Sequence, residues 1–236
     1  MVKRIAIIPA RGGSKRIPRK NIIDFDGRPM IAWTVQAALD SGCFDEVLVS
    51  TDSEEIAHAG SAAGAAVPFL RTEHVDDFVP VSQATISALK QAETHWQTRF
   101  DEVVQLMPNC PLRGAGHIRG AVEHFTRQGG GHLISCFRFG WMNPWWAVRL
   151  NEGMAPTPIF PDASSQRSQD LPPLYCPTGA IWIAERDGLL SAGSFYAPGH
   201  RFFPMDWEAA VDIDDMDDMR MAQAVALMRR TGPASA

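Results

Sequence analysis

Short β-branched runs alternate with longer amphipathic stretches along the first half of the chain. This alternation confines the fold to a layered α/β sandwich with a mainly parallel sheet. Arg4 to Pro9 (RIAIIP) reads as a buried first strand. Pro29 to Asp40 places Ile31, Val35, Ala38 and Leu39 at the i, i+4, i+7, i+8 spacing of a helix face, and Gly42 can close it. Glu46 to Val49 is a second strand, and Asp52 and Glu55 have capping-box spacing for a helix over 53–63. Ala66 to Leu70 as strand, Ser82 to Trp96 as helix, Glu102 to Met107 as strand and Ile118 to Gln128 as helix complete the series. Units of this length imply right-handed crossovers and three layers, with ligands at the carboxyl ends of the strands.

The rhythm changes after Leu133. Ile134 to Arg138, Gly179 to Glu185 and Arg201 to Pro204 read as strands, and Asp215 to Arg230 as a terminal helix. Between them lie an aromatic, proline-rich run (GWMNPWWAVRL) and a polar loop over 151–173. Residues 135–205 are expected to form an insertion or arm within one domain spanning 1–230, because about 70 residues are few for an independent domain. Residues 231–236 are expected to be a flexible tail.

A chain of 236 residues with a net charge of -5 suits one such domain and excludes a general nucleic-acid binder, which needs a net basic surface to displace counterions. No apolar run approaches the ~18 to 20 residues of a membrane span. Met1-Val2-Lys3-Arg4 runs into the first strand without a cleavage site, so a soluble, cytoplasmic protein is expected. Cys43, Cys110, Cys136 and Cys176 form no C-x-x-C pair, which points to reduced thiols and neither zinc nor disulfides.

Directly after the first strand the chain reads Pro-Ala-Arg-Gly-Gly-Ser-Lys-Arg-Ile-Pro-Arg-Lys-Asn over 9–21. Five of the 22 lysines and arginines fall between Arg11 and Lys20, which makes this a local anion site in an acidic chain. Gly12 and Gly13 are expected to turn their amides toward an oxyanion, while Arg11, Lys15 and Lys20 supply charge-assisted hydrogen bonds to a polyphosphate. Neither a Walker A loop nor a G-x-G-x-x-G follows the strand. Far downstream, Asp212-Ile213-Asp214 places two carboxylates at i, i+2, on one side if the segment is extended. Such a pair near phosphates suits Mg²⁺, which takes one or two carboxylates and keeps several waters; an acidic helix N-terminus is the alternative, and fits Asp215, Asp217 and Asp218.

The run over 10–21, followed by Gly27-Arg28-Pro29-Met30, resembles the opening of the CMP-sialic acid synthetase family, cytidylyltransferases that activate nine-carbon 2-keto acids. Val49-Ser50-Thr51-Asp52, Pro111-Leu112-Arg113, Arg167-x-Gln169-Asp170-Leu171-Pro172, Gly179-Ala180-Ile181 and Asp212-Ile213-Asp214 carry the resemblance across most of the chain. It implies a nucleotide-diphospho-sugar transferase-like α/β/α fold with a mixed, mainly parallel sheet and a dimerisation arm. The implied reaction joins CMP from CTP to a nonulosonic acid, with Mg²⁺ as cofactor. The resemblance puts Ala10, Arg11, Gly12, Gly13, Ser14, Lys20, Asn21 and Arg71 against the nucleotide, with a surface ion pair as the alternative for Arg71. It makes Asp212 and Asp214 the metal carboxylates, counts them with Arg11 and Lys20 as catalytic, and places Asn109, Arg167, Gln169 and Thr178 on the sugar side. It also implies a homodimer whose arm reaches the neighbouring subunit near its active site.

The sugar half departs from the family pattern. Met107 stands where many members have a sugar-binding glutamine, Cys176 replaces a basic residue, Thr178 replaces an asparagine, and the entry to the third helix reads Val79-Pro80-Val81-Ser82. These departures favour a pseudaminic- or legionaminic-type acid over N-acetylneuraminate. Activation of another sugar such as Kdo, or an inactive nucleotide-binding homologue, are the alternatives. Trp141, Trp145 and Trp146 are expected to pack in the arm or a dimer interface more than to stack on a sugar. Cys110 has no accompanying base and is not read as a nucleophile.

Overall fold

The computed structural model describes residues 2–73 and 79–231, so that of the expected tail residues 232–236 lie outside the described residues. Its strands are β1 (Arg4–Pro9), β2 (Asp24–Phe25), β3 (Arg28–Pro29), β4 (Glu46–Ser50), β5 (Glu102–Gln105), β6 (His132–Arg138), β7 (Val148–Leu150), β8 (Pro156–Pro158), β9 (Tyr175–Glu185) and β10 (Arg201–Met205). The helices are α1 (Met30–Ser41), α2 (Glu54–Ala62), α3 (Val81–Trp96), α4 (Ala115–Arg127), α5 (Arg186–Ala192) and α6 (Met216–Thr231).

Six strands form one sheet in the order β10-β6-β9-β5-β1-β4. β1 pairs in parallel with both β4 and β5, whereas β9 runs antiparallel to both neighbours, β5 and β6. The period-two alternation of β1 explains the layers. Ile5 and Ile7 face one core with Ile86 and Leu89 of α3 and Leu189 of α5. Ala6 and Ile8 face the other, with Ile31 and Val35 of α1 and Ile118 and Phe125 of α4. A strand covered on both faces reads as a continuous apolar run, as RIAIIP does. A third cluster joins Ile17, Phe25, Met30 and Leu112 to Ile213 and to Met219, Ala222 and Val225 of α6, and so seats the Asp-Ile-Asp segment beside the loop that follows β1.

Two sequence expectations change. Ala66 to Leu70 is not a strand: Ala66 makes one parallel bridge to Leu48, and Pro68, which has no N–H, prevents the ladder from continuing. Of the expected arm over 135–205, β6, β9 and β10 belong to the central sheet; residues 186–200, with α5, link β9 to β10, and residues 139–174 form the one long excursion between β6 and β9. That excursion is built on the β7–β8 ribbon and on Trp145, which packs edge-on against Phe160 at 4.9 Å and donates its indole N–H to Pro172 O. Trp141 is 85% exposed. All four cysteines are free. Among the described residues no helix is long and apolar enough to cross a membrane.

The β6–β9 ladder shifts register between Ile134 and Cys136, and Ser135 fills the irregularity. Its buried Oγ donates to Thr178 O at 3.1 Å and accepts from Ile181 N at 2.9 Å. Replacing Ser135 by Ala orphans the Ile181 amide, whereas Thr178 O keeps the indole N–H of Trp182 at 2.8 Å, so a loss of about 1–3 kcal/mol in urea-monitored unfolding is expected.

Candidate functional site

The carboxyl ends of β1 and β5 open into a cavity of about 520 Å³. From the loop after β1 come Arg11, Ser14, Lys15, Arg16, Lys20 and Asn21; from the turn after β5 come Met107, Pro108 and Asn109; and Asp212 and Asp214 close the far side. Arg71 and the entry to α3, with Val79, Val81 and Ala84, complete the wall.

Local contacts shape the basic loop. Ala10 N donates to Ser50 O at 2.9 Å and extends the β1–β4 ladder by one step, while Asn21 Nδ2 donates to Arg11 O at 2.9 Å and folds the loop back on itself. The amide of Gly12, expected to face an oxyanion, instead donates to Asp52 Oδ1 at 2.7 Å. The expected capping box at Asp52 and Glu55 is not formed, because α2 begins one residue later with Ser53 as its N-cap and no side-chain cap bond. A Cβ at Gly12 would lie 3.2 Å from Ser53 Cβ, so the close approach of loop and helix favours glycine there. Gly13 follows with open space on its Cβ side.

The basic loop and the acidic segment meet directly. Lys20 Nζ lies 2.9 Å from Asp214 Oδ1 and donates to Ile213 O, and Arg16 Nη2 lies 2.7 Å from Asp214 Oδ2. Burial alone would raise the Asp214 pKa, but hydrogen bonds and charge from Lys20 and Arg16 hold it below the ordinary carboxylate value. Asp212 behaves oppositely: burial, then the neighbouring Asp214, push it up to about 6 against the pull of Lys20. Two carboxylates in two environments, one already countered by cations and one short of them, form a site that gains from added positive charge.

Among the described residues no group of three or more His, Cys, Asp or Glu side chains could hold a metal ion. Asp212 and Asp214 offer two hard oxygen donors on the cavity wall, a set that fits a cation taking one or two carboxylates and completing its shell with water and phosphate oxygens, as Mg²⁺ does.

Arg71 is 4% exposed, which rules out a surface ion pair. Its backbone N donates to Thr51 O at 2.7 Å, and its Nε and Nη1 have no hydrogen-bond partner. Burial lowers its pKa, Asp52 opposes this and Arg11 adds to it. A buried guanidinium with two orphaned donors beside a cavity is prepared for an anionic or carbonyl-rich ligand. Arg113 is more deeply buried, and burial brings it down to about 10. Its Nη1 donates to Met107 O and to Ala180 O at 3.2 and 2.7 Å, tying the turn after β5 to β9.

The residues expected on the sugar side divide. Asn109 lies on the cavity wall. Thr178 is buried, with its hydroxyl donating to Ala210 O at 3.1 Å, so it serves the fold next to the β6–β9 irregularity and not the cavity wall. Arg167 and Gln169 are exposed on the excursion over 139–174, Arg167 in a two-pronged pair with Asp170. Arg167 lines a separate depression with Trp145 and Trp146. Cys110 is fully buried and its thiol is pushed well up by burial and by Asp212, in keeping with an inert thiol. Sequence reasoning assigned no role to Arg16, which pairs with Asp214 on the cavity wall, whereas Arg19 of the same loop pairs with Glu55 of α2.

The family model described as Cytidylyltransferase matches residues 5–129. Among curated proteins the chain is 34% identical to a pseudaminic acid cytidylyltransferase of Campylobacter jejuni, over 94% of this chain and 95% of that protein. It is 33% identical to a CMP-N,N'-diacetyllegionaminic acid synthase of Legionella pneumophila, over 93% of this chain and 94% of that protein. Among solved structures, CMP:2-keto-3-deoxy-manno-octonic acid synthetase complexed with CTP superposes with a TM-score of 0.70 at 18% identity, covering 96% of this chain and 99% of that one.

The raised Asp212 value sets a pH dependence. A carboxyl whose folded value lies above its unfolded value of about 4 stabilises the fold fully below that pH and loses the contribution as pH rises through about 6. Asp212→Asn is therefore expected to melt above wild type in metal-free buffer at pH 7 to 8, with the difference vanishing below pH 4. Thermal unfolding in EDTA across that range measures it.

Proposed function

The chain belongs to the cytidylyltransferase family, and on that premise we propose that it transfers CMP from CTP to the anomeric hydroxyl of a nine-carbon 2-keto sugar acid, releasing pyrophosphate. The acid is of the sialic, legionaminic or pseudaminic type. The observation that carries this reading is the single cavity in which Arg11, Lys15, Arg16 and Lys20 face Asp212 and Asp214.

In the proposed reaction the anomeric oxygen forms a bond to the α-phosphorus while the bond from that phosphorus to the bridging oxygen of the β-phosphate breaks. Pyrophosphate takes the electron pair of the broken bond, and the proton of the anomeric hydroxyl passes to solvent. Most of the catalytic work is alignment and neutralisation of charge. Arg11 and Lys20 bind the phosphates, with Ser14 and Gly13 in the same loop; Asn21 and Arg71 sit against the nucleoside. Asp212 and Asp214 would hold Mg²⁺, which when bound supplies positive charge against the phosphate oxygens. Lys20 and Arg16 are already on the cavity wall, so exchanging Asp214 for a phosphate oxygen requires side-chain motion alone.

The apolar character of Met107 on the cavity wall favours a pseudaminic- or legionaminic-type acid, in keeping with the named activities of the relatives. Arg167 and Gln169 are assigned to the sugar through a homodimer in which 139–174 reaches the neighbouring subunit. Exposed Trp141, Met142, Trp146, Leu150 and Met154 on that excursion support such an interface. The free thiols and the lack of a spanning helix among the described residues support a cytoplasmic enzyme.

Pyrophosphate release with CTP and Mg²⁺ is expected with one nine-carbon acid from a panel of neuraminate, legionaminate, pseudaminate and Kdo, and not with ATP, GTP or UTP. Turnover with Kdo alone would replace the nonulosonic acid by the eight-carbon sugar, and CTP binding without turnover on any of the four would favour a nucleotide-binding module. Asp214→Ala is expected to lose Mg²⁺-dependent turnover by more than about 100-fold while keeping its circular dichroism spectrum. Sedimentation equilibrium should give a dimer, and a monomer would remove the arm assignment.

A further inference from the structure

Asn109 makes a set of contacts that a sugar-binding side chain has no need of. It sits in the turn after β5 at 3% exposure, and its backbone O accepts from Ile213 N at 2.9 Å. Its side-chain Nδ2 reaches Asp212 Oδ1 in a short hydrogen bond, Ile213 O at 3.1 Å and Asp214 Oδ1 at 3.5 Å. One neutral amide thus touches both carboxylates and the peptide between them. The amide orientation follows from chemistry, since the opposite flip would put its oxygen against a carboxylate.

The geometry points to Asn109 as the positioning residue of the carboxylate pair, a role that rests on Asp212 and Asp214 being the cation-holding groups. Two carboxylates at i, i+2 repel each other and turn apart unless a donor holds them. Lys20 and Arg16 also restrain Asp214 in the ligand-free protein, but both are cations within the phosphate-binding loop and are needed by the nucleotide. Asn109 carries no charge to lose to a phosphate, so its hold on the pair persists when the cations change partners. Its Oδ1 is buried and has no hydrogen-bond partner, which an amide serving packing alone would not tolerate. That acceptor is left for a donor that arrives with the ligands. Groups that orient metal ligands from behind in this way typically govern metal affinity by 10- to 100-fold.

Calorimetric titration of CTP in EDTA and in Mg²⁺ separates the two contributions to nucleotide affinity without any turnover. Asn109→Ala should bind CTP in EDTA within twofold of wild type and lose about tenfold of the extra affinity that Mg²⁺ confers. Asn109→Leu, of similar shape and without polar atoms, repeats the test without leaving a cavity and should behave alike. A Mg²⁺ enhancement within twofold of wild type in either folded variant would overturn the inference, as would an equal loss in both buffers, which marks a packing or nucleotide-contacting role. Asp214→Ala serves as the control for the underlying assignment. An enhancement that survives in it, or that is absent from wild type, would overturn the carboxylate pair as the cation site and the role of Asn109 with it.

Discussion

The ion pair between Lys20 and Asp214 joins residues 194 positions apart, and most of the site depends on what brings them together. Neither residue is held by the central sheet itself. Lys20 belongs to the loop that leaves β1, and Asp214 to the segment that enters α6. The third apolar cluster, in which Ile17, Phe25 and Met30 meet Ile213 and α6, supplies the burial that holds the two segments side by side. Electrostatics alone would be a poor fastener, because a partly exposed pair contributes little net stability. The apolar contacts place the charges, and burial together with those charges then sets the pKa values of the two aspartates.

That order of causes accounts for the opposed behaviour of Asp212 and Asp214. They are two residues apart and share a segment, yet one is lowered by Lys20 and Arg16 and the other is raised by burial and by its neighbour. Ile213 between them is buried in the apolar cluster at 0% exposure, while both flanking side chains lie on the cavity wall. A local alternation of polar and apolar residues, trivial in the sequence, becomes a two-carboxylate wall once its apolar member is anchored.

Much of the layered core was legible in the sequence because period and burial are local properties. RIAIIP has no polar face and must be a covered strand, and α1 and α3 carry recognisable apolar stripes. The antiparallel β9 was not legible in the same way, since nothing in YCPTGAIWIAE states its direction or that it lies between β6 and β5. The basic loop and the Asp-Ile-Asp segment could each be found from composition and spacing. What each side chain touches could not: Arg16 and Arg19 look equivalent in sequence, Gly12 turns its amide to Asp52, and Thr178 spends its hydroxyl on Ala210. The clasp of Asn109 on the carboxylates spans more than 100 residues and has no local signature.

The antiparallel turn of β9 also fixes where the excursion over 139–174 is rooted. Arg138 and Tyr175 are paired neighbours in the β6–β9 ladder, so the excursion leaves and returns at one point of the sheet. An insert with adjacent ends adds closure entropy that grows slowly, by about 0.6 kcal/mol for each doubling of its length. Its length and side chains can therefore change at small thermodynamic cost while the sheet that carries the cavity stays as it is.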